Sequence, residues 1–126
     1  MSKKIIKTEK ASLPVGPYNQ GVAIGNLIYT AGQIPLDRLG NMVSGGIKEQ
    51  TQQVLENVKS VVEAGGSSLD KVVKATVFLK DLNDFAGMNE IYSQYFKSDD
   101  APARTTIQVA RIPKDSLVEI EVVAHI

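Results

Sequence analysis

The chain has 126 residues, 43% of them hydrophobic and 22% charged, which suits one domain, residues 1–126, with an apolar core of its own. Lys and Arg number 14 and Asp and Glu 14, so the formal net charge is zero and the basic field of a general nucleic-acid binder is absent. With no Cys and one His, His125, the chain has no disulfide, thiolate nucleophile, Cys-ligated metal or multi-His site.

After the short run Lys4-Ile5-Ile6-Lys7, read as a strand, Pro14 and Pro17 exclude helix or central strand around Tyr18. Residues 19–24 and 27–34 flank Gly25-Asn26, a pair suited to positive φ, which predicts a β-hairpin. A loop with Gly40-Asn41 and Gly45-Gly46 follows. From Ile47 the period becomes helical: Thr51, Val54, Leu55, Val58, Val61 and Val62 form an apolar stripe that Gly65-Gly66 terminates.

Residues 72–79 are rich in β-branched side chains and read as a strand whose apolar residues fall on both faces, so both faces are expected to be largely covered. Phe85, Met88, Ile91, Tyr92, Tyr95 and Phe96 predict a second amphipathic helix, capped by Asn83 or Asp84. Strands over 103–110 and 117–125 complete the chain, with His125 at a strand end. The order β, β-hairpin, α, β, α, β, β gives an α+β fold, a mixed sheet with two helices on one face. The face without helices favours self-association. No apolar run approaches the roughly 20 residues of a membrane span, and the charged start, Lys3-Lys4, has no apolar h-region. The expectation is a cytoplasmic protein.

The last two strands hold the chemistry-bearing residues. Arg104, Thr106 and Gln108 alternate with Ala103, Thr105 and Ile107, and Glu119 and Glu121 alternate with Val118 and Ile120. If the two strands pair antiparallel across the Pro113 loop, Thr106 can stand opposite Glu119 or Glu121 with Arg104 next along. A guanidinium then shares a sheet face with a carboxylate: the first matches a substrate carboxylate, and the second, partly buried, serves as general acid or base. A cross-strand ion pair on a solvated face is the competing reading. Tyr18 is either a pocket rim or a loop aromatic packed on the core. In Thr30-Ala31-Gly32-Gln33 the glycine allows an amide-to-ligand contact or marks a bulge. Asn89, on the second helix, points at a ligand or into water. Phosphate-binding glycine loops are absent from the sequence.

Longer motifs add a resemblance. Gly16-Pro17-Tyr18-Asn19-Gln20-Gly21, Ala31-Gly32-Gln33-Ile34-Pro35, Lys80-Asp81-Leu82-Asn83-Asp84-Phe85, and above all the run from Pro102-Ala103-Arg104-Thr105-Thr106 to Arg111-Ile112-Pro113-Lys114-Asp115, closed by Val118-Glu119-Ile120-Glu121, resemble the Rid (YjgF, RidA-type, L-PSP) family nearly end to end. The resemblance implies a chorismate-mutase-like fold, a homotrimer with three clefts between subunits, and hydrolysis of enamines and imines such as 2-aminoacrylate, 2-iminopropionate and 2-iminobutanoate to 2-keto acids and ammonia. It implies no metal and no organic cofactor. By motif position, Arg104 clamps the substrate carboxylate and Glu119 handles water and proton. Tyr18 lines the cleft, the backbone amides of Gly32 and Thr106 hold the ligand, and Phe85 and Asn89 border it. Two positions depart from the pattern: Thr106, where many members carry Cys, and Ala31, where Ser is frequent.

Two alternatives of other kinds stand beside this one. A regulatory trimer that binds a small carboxylate or keto acid without turnover uses Arg104 and has little need of Glu119. RNA cleavage or inhibition of translation, an activity reported within the family, has zero net charge and the absence of a basic, aromatic stripe against it.

Overall fold

In the computed structural model, which describes residues 2–126, six strands and two long helices alternate along the chain. The strands are β1 (Lys4–Ile6), β2 (Gly21–Ile24), β3 (Leu27–Thr30), β4 (Val72–Leu79), β5 (Ala103–Gln108) and β6 (Val118–His125); the helices are α1 (Ile47–Ala64) and α2 (Phe85–Tyr95). The β2–β3 hairpin turns at Gly25, which takes φ +57° as a tight connection requires. Helix α1 starts where Glu49 reaches back to accept a hydrogen bond from the Gly46 N–H at 2.8 Å, and ends at Gly65-Gly66, with Gly66 at φ +89°. At the start of α2, Asp84 precedes Phe85 but its side chain makes no capping bond; Asp81, one turn earlier, accepts from the Asn83 N–H at 2.8 Å.

The six strands form one sheet in the order β1-β2-β3-β6-β4-β5, antiparallel throughout except for the parallel pair β4–β5. Both helices lie on one face. Val54, Val58, Val61 and Val62 of α1 and Met88 and Tyr92 of α2 pack on Ala75, Val77, Leu79, Ile120, Val122 and Ala124 of the sheet in one buried cluster. The α+β class and the helix placement are those expected. No helix of the described residues is long and apolar enough to cross a membrane.

Two expectations need correction. The last two strands do not pair with each other: β6 inserts between β3 and β4, and β5 lies on the far edge of β4, parallel to it. The α2 crossover between β4 and β5 returns the chain in the same direction, which makes them a parallel pair. The long, apolar β4 takes the interior position, and the more polar β5 takes the edge. Nor is β4 covered equally on its two faces: on the helix-free side Phe78 packs on Ile34, Leu36 and Ile112, while Lys74 and Thr76 stay partly exposed. A register shift between Val72 and Lys74 brings Val72 into phase with Ala75, Val77 and Leu79, so one face gathers the buried residues, and Val73 is left 47% exposed.

Candidate functional site

The face of the sheet turned away from the helices carries Glu119. Past Thr30 the β3–β6 ladder is broken and resumes where Gln33 and Ile120 exchange backbone hydrogen bonds at 2.8 and 3.1 Å. Tyr29 pairs with Val123 and Gln33 with Ile120, so Thr30, Ala31 and Gly32 stand opposite only Glu121 and Val122, a one-residue bulge. The Thr30 hydroxyl fills the gap by accepting from the Val122 N–H at 3.0 Å. The bulge lays the Gly32 backbone directly on the Glu119 side chain. A Cβ at Gly32 would overlap the carboxylate, with Cδ at 2.8 Å and Cγ at 3.1 Å, so the approach is available only to glycine.

Glu119 forms the floor of an open cleft of about 340 Å³, with Tyr18, Val15, Ala31, Gly32, Ile34 and Pro113 around it. Its half-buried carboxylate has no Lys or Arg within 4.0 Å among the described residues. Burial first, and the neighbouring charge of Glu121 second, raise its pKa above the ordinary carboxylate range. Tyr18 is at the rim, 47% exposed, its hydroxyl accepting from the Val15 N–H at 3.3 Å. The loop before it is tied down by buried Gln20, whose amide donates to the Thr8 and Ser12 carbonyls at 3.0 and 2.9 Å while its oxygen accepts from the Thr8 N–H at 2.7 Å. The Ile34 wall is held by Asn57 of α1, fully buried, which donates to the Ile34 and Leu36 carbonyls at 3.1 and 2.9 Å.

Arg104 and Thr106 face the other way. They pair with Ala75 and Val77 of β4, which point into the helix-side core, and directly paired residues share a face. The Arg104 guanidinium therefore meets α2, its carbon 4.6 Å from the Tyr92 ring centroid and 5.5 Å from that of Phe85. Asn89, four residues after Phe85 and three before Tyr92, lies on the same stripe of the helix. No carboxylate lies within 4.0 Å of Arg104 among the described residues. The Tyr92 hydroxyl and Thr106 Oγ1 are both buried without a hydrogen-bond partner.

The predicted group of Arg104, Thr106 and Glu119 on one face is therefore not formed within a chain. Arg104 pairs with Ala75 and Glu119 with Phe78, residues of opposite parity on β4, so the guanidinium and the carboxylate project from opposite faces with a strand between them. The structure brings Tyr18, Gly32 and Glu119 to one cleft, and Phe85, Asn89, Arg104 and Thr106 to the β5–α2 edge. The sequence reading missed Gln20 and Asn57, which position the cleft, and Tyr92, which meets Arg104. For Asn57 the signal was present: a polar residue one position before Val58 in the apolar stripe, which a buried Asn occupies only with its amide paired.

Comparisons with known proteins agree with this fold. The family model described as Endoribonuclease L-PSP matches residues 8–126. A RutC family protein of Pyrococcus abyssi is 55% identical over 126 residues, covering 99% of this chain and 98% of its own. The 2-iminobutanoate/2-iminopropanoate deaminase of Salmonella typhimurium is 48% identical over 123 residues, 96% of each chain. The crystal structure of E. coli TdcF with bound serine matches with a TM-score of 0.92 at 45% identity, covering 98% of both chains.

Proposed function

The chain belongs to the Endoribonuclease L-PSP family, and from that premise we propose that it is an enzyme, a deaminase that hydrolyses small 2-imino acids and their enamine tautomers to 2-keto acids and ammonia. The observation that carries the reading is Glu119, a half-buried carboxylate with a raised pKa, with no Lys or Arg within 4.0 Å among the described residues and lodged against Gly32 in an open cleft. A carboxylate so placed, with its pKa raised by burial, is suited to taking and returning a proton.

In the reaction, water adds to the C=N carbon and Glu119 accepts its proton. That proton is delivered to the imine nitrogen, giving a carbinolamine; Glu119 then moves the carbinolamine hydroxyl proton to the amine nitrogen, which leaves as ammonia as the C=O bond forms. The imine carbon is already electrophilic, so the reading asks for no metal and no organic cofactor. Arg104 receives the substrate carboxylate in bidentate fashion. Tyr18 closes the rim, the Gly32 and Thr106 amides hold the ligand, and Phe85 and Asn89 border it.

Because Arg104 and Glu119 leave opposite faces of one chain, a site using both takes them from two copies. We propose a cytoplasmic homotrimer of single-domain chains, residues 1–126, in the chorismate-mutase-like arrangement, with each cleft receiving Arg104 from a neighbour. Exposed apolar residues on the helix-free face and the edge strand, Tyr29 at 47% and Ile107 at 42%, support its being covered by other copies.

The test is subunit mixing. Arg104→Ala and Glu119→Gln are each expected to lose release of keto acid from freshly generated 2-iminopropionate. Co-refolded one to one, they regain about a quarter of wild-type activity, the fraction of clefts drawing an intact Arg and an intact Glu from different chains. No recovery from well-assembled mixtures would refute the shared site. A wild-type protein that binds pyruvate through Arg104 without turning over the imine would make it a binding protein.

A further inference from the structure

Arg104 is held in an unusual way for a residue on an edge strand. Its guanidinium has no acidic partner within 4.0 Å among the described residues, yet it is not free in solvent: it lies over the Tyr92 ring at 4.6 Å and near that of Phe85 at 5.5 Å. Tyr92 is itself fixed. It is 6% exposed, sits in the main core cluster beside Met88, and stacks on Phe96 at 4.7 Å between ring centroids. An aromatic face attracts a guanidinium through its quadrupole without occupying the N–H groups, which lie in the guanidinium plane. A carboxylate partner would orient the same side chain but use up the donors a ligand needs. We infer that Tyr92 is a positioning residue, its ring the shelf on which the Arg104 guanidinium rests, with no acidic side chain competing for the donors that a substrate carboxylate would take. The inference rests on the reading that Arg104 receives that carboxylate.

The shelf acts on binding of the carboxylate, which is present in substrate and transition state alike. Its loss therefore raises KM and leaves kcat nearly unchanged. The ring face supplies it, so Phe in place of Tyr preserves it.

Two measurements on the full chain test this. The first needs no substrate: the Arg104 Nε–H resonance in the NMR spectrum, identified by its loss in Arg104→Lys. It is expected upfield of a solvated Arg in wild type and Tyr92→Phe, through the ring current, and most of the way back to the solvated position in Tyr92→Leu, the remainder coming from Phe85. The second follows Kd for pyruvate together with KM and kcat for 2-iminopropionate. Tyr92→Leu is expected to raise Kd and KM about tenfold, within the range of one cation–π contact, while Tyr92→Phe stays within about twofold. On an Arg104→Ala background, adding Tyr92→Leu is expected to weaken pyruvate binding no further.

An Arg104 resonance unmoved by Tyr92→Leu overturns the shelf, as does Tyr92→Phe losing as much binding as Tyr92→Leu, or an undiminished Tyr92→Leu effect in the Arg104→Ala background. If Tyr92→Leu fails to fold, Phe85→Leu, at the exposed second ring, is expected to shift the same resonance by a smaller amount, and no shift there overturns the inference. A wild-type protein with the upfield resonance that neither binds pyruvate nor consumes the imine keeps the shelf and removes the deaminase reading.

Discussion

Gly32→Ala isolates the contact on which the cleft is built. Gly32 does not occupy the left-handed region, so alanine brings no backbone strain and the substitution acts through one added methyl group. That methyl overlaps the Glu119 carboxylate and stands 2.8 Å from Cδ and 3.1 Å from Cγ, well inside contact distance. The Glu119 side chain is flexible and half in water, so it yields before the backbone does. The expected stability cost is about 1 kcal/mol, the low end for an overpacked site. The expected catalytic cost is larger. Swinging the carboxylate out moves it by an ångström or more, and a displacement of that size lowers kcat by about 100-fold. Urea unfolding at one fixed protein concentration and the imine assay give the two numbers. In a Glu119→Ala background the three atoms nearest that methyl are gone, and its stability cost is expected to fall away. A Gly32→Ala protein with wild-type kcat, or a cost that persists without the Glu119 side chain, would refute the account.

Three further outcomes follow from burial and pairing. Glu119 has a folded-state pKa raised by burial and by Glu121, so its stabilising contribution is complete below the ordinary carboxylate range and is lost as pH rises through the raised value. Where no guanidinium from another copy reaches Glu119, Glu119→Gln is therefore expected to be more stable than wild type at pH 7, by less than about 1 kcal/mol since half the group remains in water, and no more stable at about pH 3.5; thermal melts at both pH values read this, and a Glu119→Gln protein less stable than wild type at pH 7 would mark a guanidinium brought to the cleft by another copy. Thr106→Val keeps the shape and removes a buried hydroxyl that has no partner, so a gain of about 1 kcal/mol is expected in urea unfolding; a loss would mean that the hydroxyl is hydrogen-bonded in solution. Asn57→Ala strips two loop carbonyls of their donor and is expected to cost about 2–4 kcal/mol, and also to lower activity through the Ile34 wall.

Local signals in the sequence carried the elements but not their neighbours. Gly25-Asn26 marked the hairpin, the Val54 to Val62 stripe marked α1, and the alternation of Glu119 and Glu121 with Val118 and Ile120 appears in the structure as drawn. Each depends on residues within a few positions of one another. Which strand lies beside which is a non-local matter: β6 can satisfy its apolar face against β4 or β5 equally well by pattern, and the choice is made by the α2 crossover and by the greater apolar burial of β4. Parity within Arg104–Thr106 and within Glu119–Glu121 was read correctly, but the relation between the two pairs passes through β4 and could not be. The bulges at Val72 and at Thr30–Gly32 shift phase by one residue, which alternation alone cannot foresee.

The separation of the two charges also fixes how protonation and assembly depend on each other. Within one chain, Glu119 sees burial and another carboxylate, both of which favour its neutral form, while Arg104 lies against the Phe85 and Tyr92 rings with no carboxylate within 4.0 Å among the described residues. A neighbouring copy that brings its Arg104 to the cleft adds a positive charge beside Glu119 and lowers its pKa, making more of the basic form available at neutral pH. A substrate carboxylate bound to that Arg104 offsets the added charge and raises the pKa again, so the proton taken from water is more readily retained in the complex. The acidic limb of kcat/KM, which reports the free enzyme, is then expected at lower pH than the acidic limb of kcat, which reports the complex. Arg104→Gln, which keeps polarity without charge, is expected to move the limb of kcat/KM upward toward that of kcat. Coincident limbs in the wild type, unchanged by Arg104→Gln, would mean that no guanidinium reaches Glu119 from another copy.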